Sequence, residues 1–238
     1  MKDTFPLGML QEIESILSHH HEWPDGLDSY SALFESGTFF PLQRRRELEA
    51  MMRLCRSINP KTIMVIGADK GSDVFHFVKC LPTVRNVIAC EIRGTPYADL
   101  FKQYFPAVNF LFIPTGSRDQ YCLAEVEKFM VGKSLDVAFI DGDKNAFKED
   151  FEAYRKFMIP GGIALMHDIY LAPSHGGCQD AFYDVAKNYR TEKIIDLTEH
   201  ADDIVEAQRG IPPKGSYGGW LRFFNNIPTC GVGVIHIS

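Results

Sequence analysis

Four short polar clusters in this chain each follow an apolar run, and each holds residues able to do chemistry. The first is Gly67-Ala68-Asp69-Lys70-Gly71-Ser72. Small residues let a ligand approach the backbone, and a helix starting there offers free N–H groups. A dinucleotide fingerprint would need G-x-G-x-x-G. This turn has G-x-x-x-G with Asp69 in the middle, and that carboxylate repels a pyrophosphate while suiting a ligand with a positive group. Glu91 lies twenty positions beyond Gly71, where an acid can accept hydrogen bonds from a ribose diol and exclude a 2′-phosphate. Farther on come Asp141-Gly142-Asp143-Lys144 and His167-Asp168. Asp141 and Asp168 would converge if their strands are neighbours, since adjacent strands lie about 5 Å apart. Two carboxylates that close share a proton or hold a divalent cation such as magnesium. Lys144 would serve as a base if its pKa is lowered, or would orient an anionic oxygen.

The elements that must position these residues alternate. Strands are predicted over 62–66, 86–90, 108–113, 135–140, 161–166 and 193–197, and a last one over 232–237. Between them run amphipathic helices carrying Val74 and Phe77, Leu100 and Tyr104, then 123–129, 147–157 and 181–189. Such alternation means right-handed βαβ crossovers and a parallel sheet covered on both faces. Between the sixth and last strands lies a Gly/Pro-rich stretch rather than a comparable helix, so the last strand is expected to enter antiparallel. The expected fold is a doubly wound, Rossmann-like α/β domain over 61–238, with seven mostly parallel strands. Residues 1–60 read as a helical cap: Leu10, Ile13, Ile16 and Leu17 recur at helical spacing, and Pro41 opens a second helix. Arg44, Arg45 and Arg46 read as a solvated face, and His19-His20-His21 as a solvated helix end.

The segments VIGADKGS, ACEI, FIDGDK and PGGIALMHD, in this order and spacing, resemble the class I S-adenosylmethionine-dependent methyltransferases. The likeness runs from about residue 42 to 238 and is greatest to the small-molecule O-methyltransferase branch, with its fourth motif of FIDGDH or FIDADK type. It implies S-adenosylmethionine as cofactor, held by Gly67, Ala68, Asp69, Gly71, Ser72, Glu91, Ile92, Ser117 and Asp141. The first turn would wrap the methionine part, whose ammonium suits Asp69. Ser117 would lie near the adenine. Lys144 and His167 would be the catalytic residues, and Asp141 and Asp168 the ligands of a divalent metal such as Mg2+ in a metal-dependent enzyme. The chain departs from the pattern at Val65, where an acid is usual, at Asp69, where a glycine is usual, and at Ile169, where the third metal ligand would be an asparagine. Metal dependence therefore stays open.

The implied activity is methyl transfer to an oxygen, or second to that a nitrogen, of a small molecule. The acceptor lid would come from the N-terminal helices and the loops 170–177 and 202–219, with Trp23, Phe39, Phe40, Tyr170, Tyr217 and Trp220 excluding water. His175 or His200 would reach the site from loops. Two alternatives are a cofactor-binding module without catalysis and a nicotinamide-dependent oxidoreductase. Composition narrows the field: 238 residues with 45% hydrophobic and 24% charged make an ordinary globular chain. A net charge of −6 argues against nucleic acid as partner. No apolar run reaches the roughly 18 residues of a membrane span, and no signal peptide is indicated at the N-terminus. The six scattered cysteines read as buried thiols of a cytoplasmic protein. The expected partner is a small-molecule acceptor, and a homo-oligomer is compatible with the sequence.

Overall fold

A computed structural model describes residues 7–23, 27, 39, 43, 45–169, 178–194 and 231–238. Helices α1 (Leu7–Ser18) and α2 (Arg45–Ser57) precede the sheet. Then follow β1 (Thr62–Ile66), α3 (Ser72–Cys80), β2 (Asn86–Cys90), α4 (Ala98–Tyr104), β3 (Asn109–Ile113), α5 (Gln120–Phe129), β4 (Leu135–Ile140), α6 (Phe147–Arg155), β5 (Met158–His167), α7 (Cys178–Ala186), β6 (Arg190–Ile194) and β7 (Val232–His236). The strand order is β3-β2-β1-β4-β5-β7-β6. β7 pairs antiparallel with both β5 and β6, while the pairings among β1 to β5 are parallel.

Period-two alternation splits the core between the two faces of the sheet. Ile63, Val65, Val87, Val137, Phe139 and Leu165 point to one face, where they meet Leu48, Met51, Phe75, Phe77 and Phe101. Met64, Ile66, Ile88, Ala138, Ile140 and Met166 point to the other, against Val126, Phe151 and Phe182. All five residues of β1 are buried, which a central parallel strand with helices on both faces requires. Met9, Ile13 and Leu17 of α1 belong to the same cluster as the sheet residues, so the N-terminal helices share that core.

Several expectations shift here. Trp23 and Phe39 do not line a lid: their rings pack edge-on against Phe75, with centroids 6.1 and 5.9 Å away, and Phe39 is fully buried. The lid residues Phe40, Tyr170, Tyr217 and Trp220 lie outside the described residues, as do Pro41, Arg44, His175 and His200. His20 is half-buried rather than solvated. Its Nδ1 lies 2.8 Å from the Leu17 carbonyl at the end of α1, and its ring sits 4.6 Å from that of Phe105. Arg45 and Arg46 are exposed, as expected. Cys55, Cys80, Cys90 and Cys122 are buried free thiols. Among the described residues no helix is long and apolar enough to cross a membrane.

Candidate functional site

β1 pairs with β2 on one side and β4 on the other, so the chain reverses its direction of progress across the sheet between β1 and β4. A crevice opens beyond the carboxyl ends of strands at such a point, and all four polar clusters lie at those ends.

The turn after β1 is built by two glycines. Gly67 has φ +79, and a Cβ there would lie 2.7 Å from the Asp141 carbonyl oxygen and from the N and Cα of Gly142. Gly71 has φ +92, and a Cβ would meet the Tyr97 ring at 2.9 Å. Asp69 between them has φ 42, and Asp168 has φ 63. Left-handed backbone at two aspartates costs each about 1–2 kcal/mol, and strain of that kind concentrates at functional sites.

Glu91 is buried at the end of β2. Its Oε2 accepts the Asp69 backbone N–H at 2.8 Å, and its Oε1 accepts the backbone N–H and the Nε of Arg93 at 3.0 and 3.3 Å. Arg93 also donates through Nη2 to Asp69 Oδ1. The guanidinium therefore clasps both acids from the solvent side. Burial raises the Asp69 pKa, and the Arg93 charge opposes that rise.

At the tips of β4 and β5 four ionisable side chains form one cluster. Lys144, in the single 3-10 turn after β4, places its ammonium on Asp141 Oδ1 and 2.8 Å from Asp168 Oδ2. His167 Nδ1 lies 3.1 Å from Asp141 Oδ1 and 3.3 Å from Asp168 Oδ1. Burial alone would lower the pKa of His167, but Asp168 and Asp141 outweigh it and hold the imidazole well above its usual range. The same two carboxylates hold Lys144 above its ordinary value against the effect of burial. Burial would raise Asp168, yet His167 and Lys144 keep it far below the carboxylate range. Two carboxylates thus meet an ammonium and an imidazole in one tetrad. Lys144 is not the base that a lowered pKa would make of it; it is a charged donor fit to hold an anionic oxygen.

The tetrad also bears on a metal. Ligand atoms of Asp141, His167 and Asp168 lie within 4.8 Å of one another, close enough for one ion. However, the Lys144 ammonium already bridges the two carboxylates and competes with an ion for the same oxygens. These residues fit a divalent cation poorly while Lys144 stands there. Ile169, where the third ligand would be expected, is buried in the core.

Ser117, in the loop after β3, donates through Oγ to Asp150 Oδ1 at 2.6 Å. Ile92 is 75% exposed beside Glu91, and its Cδ1 is 4.0 Å from the Cβ position of Gly116. Ser72 is buried at the first position of α3, and Ala68 is buried in the turn. The described residues expected at the site thus lie at the carboxyl end of the sheet, while His175 and His200 fall outside the described residues.

No family model and no curated protein matches the chain. Solved structures do. An O-methyltransferase from Bacillus cereus in complex with S-adenosylhomocysteine aligns at TM-score 0.52 and 14% identity, over 90% of each chain. An O-methyltransferase from Streptomyces achromogenes involved in tomaymycin synthesis, in complex with S-adenosylmethionine, aligns at TM-score 0.57 and 14% identity, again over 90% of each chain. Spermidine synthase, in complex with a transition-state analogue, aligns at TM-score 0.50 and 16% identity, over 81% of this chain and 59% of that one. The chain has the methyltransferase fold.

Within the methyltransferase fold, spacing did not single out several residues that the structure brings to the crevice. Gln43, 98 positions before Asp141, donates to its Oδ2 at 3.3 Å. Asp73, the second residue of α3, is buried with Oδ1 lacking a hydrogen-bond partner among the described residues, while Gln43 bonds its carboxyl. Burial, reinforced by the nearby Asp141 charge, pushes its pKa up to about 8. Asp73 follows Ser72 directly, and an acid inside the first turn of a helix after a glycine turn was the signal available. Arg93, two residues after Glu91, carried none.

Proposed function

We propose that this protein transfers the methyl group of S-adenosylmethionine to an oxygen of a small molecule. One observation carries the proposal: the glycine turn, the Glu91 carboxylate and the Lys144 tetrad meet at the switch point of a methyltransferase fold. When bound, the cofactor supplies an electrophilic methyl on a sulfonium, already activated for transfer. What remains for the protein is to position the acceptor and stabilise its charge.

The residues fit that cofactor. Gly67 and Gly71 let the turn pack closely against Asp141, Gly142 and Tyr97 at the crevice, and Asp69 and Asp141 suit an ammonium and a sulfonium. Glu91 would accept the ribose hydroxyls. Lys144, at the rim of the tetrad with 20% of its side chain exposed, would hold the acceptor oxygen. Because Lys144 stays charged, it favours an acceptor that enters as its oxyanion, which points to a phenol- or catechol-like hydroxyl whose proton leaves to water. S-adenosylmethionine, held by the glycine turn and Glu91, would supply the methyl group and take the electron pair on its sulfur, while Lys144 would hold the acceptor oxygen that receives the methyl. Asp141 and Asp168 hold the ammonium in line, and His167 braces both carboxylates from the other side. A nicotinamide-dependent reaction fits less well, because β7 inserts antiparallel where dinucleotide folds continue with a parallel strand.

Titration with S-adenosylhomocysteine in a calorimeter tests the cofactor. At about 100 times Kd, binding contributes about 2.7 kcal/mol, or about 5–10 °C in Tm for a chain of this size. No heat and no shift at millimolar ligand would remove the proposal. Binding without transfer to any member of a phenol and catechol panel would leave the non-catalytic alternative standing.

Arg93 supplies a second check. Its side chain occupies Glu91 Oε1, so a ribose diol must compete with it. With Arg93 46% exposed, that ion pair is worth about 0–1 kcal/mol. Arg93→Ala is expected to tighten S-adenosylhomocysteine binding by up to about fivefold, with Tm nearly unchanged. Weaker binding in this variant would mean that Arg93 contacts the ligand instead of competing with it.

A further inference from the structure

Residues 43–47, where α2 begins, reach the tetrad from outside the sheet. An acid in the first turn of a helix is ordinarily a solvated partner of the helix dipole. Glu47 occupies that turn but is only 1% exposed, and its Oε1 accepts the Gly231 backbone N–H at 3.2 Å across 184 positions of sequence. The Gly231 carbonyl in turn accepts the Ile169 N–H at 3.4 Å. Gly231 also leads directly into β7, whose first residue, Val232, pairs with His167. Asp168 therefore sits between two residues, His167 and Ile169, that are both held by 231–232, and Glu47 holds that segment. The Asp168 backbone needs such support. Its φ of 63 is left-handed, a conformation that persists in a residue with a side chain where the surroundings over-determine it. Four residues before Glu47, Gln43 donates to Asp141 Oδ2 at 3.3 Å. One short stretch thus reaches both carboxylates of the tetrad, Asp141 directly and Asp168 through Gly231.

We infer that Glu47 is a positioning residue: through Gly231 it fixes the left-handed turn at Asp168 and so aims that carboxylate at Lys144 and His167. It acts through its acceptor oxygen rather than its charge, because a buried N–H needs an acceptor. Without one, Gly231 shifts toward another partner, and the Ile169 bond that pins the far side of Asp168 goes with it. The Asp168 carboxylate then leaves its contacts at 2.8 Å with Lys144 and 3.3 Å with His167. The consequence for transfer rests on the function proposed above, in which Lys144 holds the acceptor oxygen. A misplacement of about 1 Å at such a group can cost about a hundredfold in rate. The geometric claim stands apart from that reading.

The test uses the full chain, isotope-labelled for NMR, as wild type, Glu47→Gln and Glu47→Leu. Its readouts are the His167 ring resonances and the hydrogen-exchange rate of the Ile169 amide. Glutamine keeps a carbonyl oxygen at the same reach and loses the charge, whereas leucine fills a similar volume and offers no acceptor. Glu47→Gln should match wild type in both readouts. Glu47→Leu should move the His167 resonances and speed Ile169 exchange by about tenfold. A residue that merely fills space would lower Tm without moving His167. Unchanged His167 resonances in folded Glu47→Leu overturn the inference, as does an equal movement in both variants, which would assign the effect to charge. If Glu47→Leu does not fold, Glu47→Asp decides, since its carboxylate stops one methylene short of Gly231: moved resonances support the inference and unmoved ones overturn it. Single-turnover transfer to the best phenol acceptor should fall about ten- to hundredfold in Glu47→Leu, with S-adenosylhomocysteine affinity close to wild type; transfer at the wild-type rate overturns the inference too. A wild type that binds no S-adenosylhomocysteine removes the proposed function and leaves His167 and Ile169 to decide on Glu47.

Discussion

Lys144→Met is expected to lower methyl transfer by about two to three orders of magnitude and to destabilise the fold by about 3 kcal/mol. Both effects come from one geometry. The ammonium touches Asp141 and Asp168, whose side chains are only 10% and 12% exposed, and methionine fills the volume without the charge. Two buried carboxylates are then left with His167 alone. The rate should fall because the acceptor oxyanion loses its counter-charge, while S-adenosylhomocysteine still binds through the glycine turn and Glu91. Thermal unfolding and single-turnover transfer to the best phenol acceptor measure the two effects separately. The same variant reports on metal. In wild type, millimolar Mg2+ or a chelator should leave Tm unchanged, since Lys144 is the resident cation. In Lys144→Met, Mn2+ or Mg2+ should recover part of the lost stability by occupying the place between the carboxylates. A wild-type Tm that falls with chelator would show that the tetrad is not the working state.

Gly67→Ala should be the most damaging single-methyl change at the crevice. The new Cβ would stand 2.7 Å from three backbone atoms of Asp141 and Gly142, and backbone cannot swing aside as a side-chain tip can. A left-handed φ adds about 1–2 kcal/mol to an overpacking cost of about 1–3 kcal/mol. A loss of about 2–5 kcal/mol is expected on denaturant unfolding, and any folded protein should bind S-adenosylhomocysteine at least tenfold more weakly, because the Gly67 N–H to Cys90 O bond at 3.0 Å must stretch as the turn moves. Gly94→Ala is the control: it shares the positive φ, at +101, but has open space around its Cβ position. If both variants lose equal stability, conformation rather than close approach is the cause.

Much of the fold was legible because buried parallel strands announce themselves. β1, β2 and β4 were expected at the boundaries observed. β5 was expected to start at 161 but begins at Met158, ahead of Pro160 and Gly161, residue types poor in strands. The structure carries that stretch as a bulge, with Gly161 at φ 85, held by Gly161 N–H on Ile237 O and Ile237 N–H on Gly162 O, contacts that no local pattern encodes. β6 was expected at 193–197; it begins at Arg190 and is described to Ile194, with 195–197 outside the described residues. It is an edge strand with mostly exposed polar residues, so apolar patterning pointed past it. At the site, the residues legible in the sequence were those tied to strand ends by short motifs. Gln43, Arg93 and Asp150 were not, because their partners Asp141, Asp69 and Ser117 are 98, 24 and 33 positions away. The tetrad was hidden for the same reason: spacing brings Asp141 near Asp168, but only coordinates place Lys144 between them.

The position of β7 governs when this sheet can be finished. β7 is last in sequence yet sits between β5 and β6, holding both. As the chain leaves the ribosome, β6 has no partner, and β5 presents a bare antiparallel edge, until residues 232–236 arrive. Every nascent chain therefore passes through a stage in which a long apolar strand is open to pairing with a stranger. The five parallel strands, with the crevice at their centre, all precede that missing partner in the chain, so a product truncated before 232 is expected to self-associate through β5.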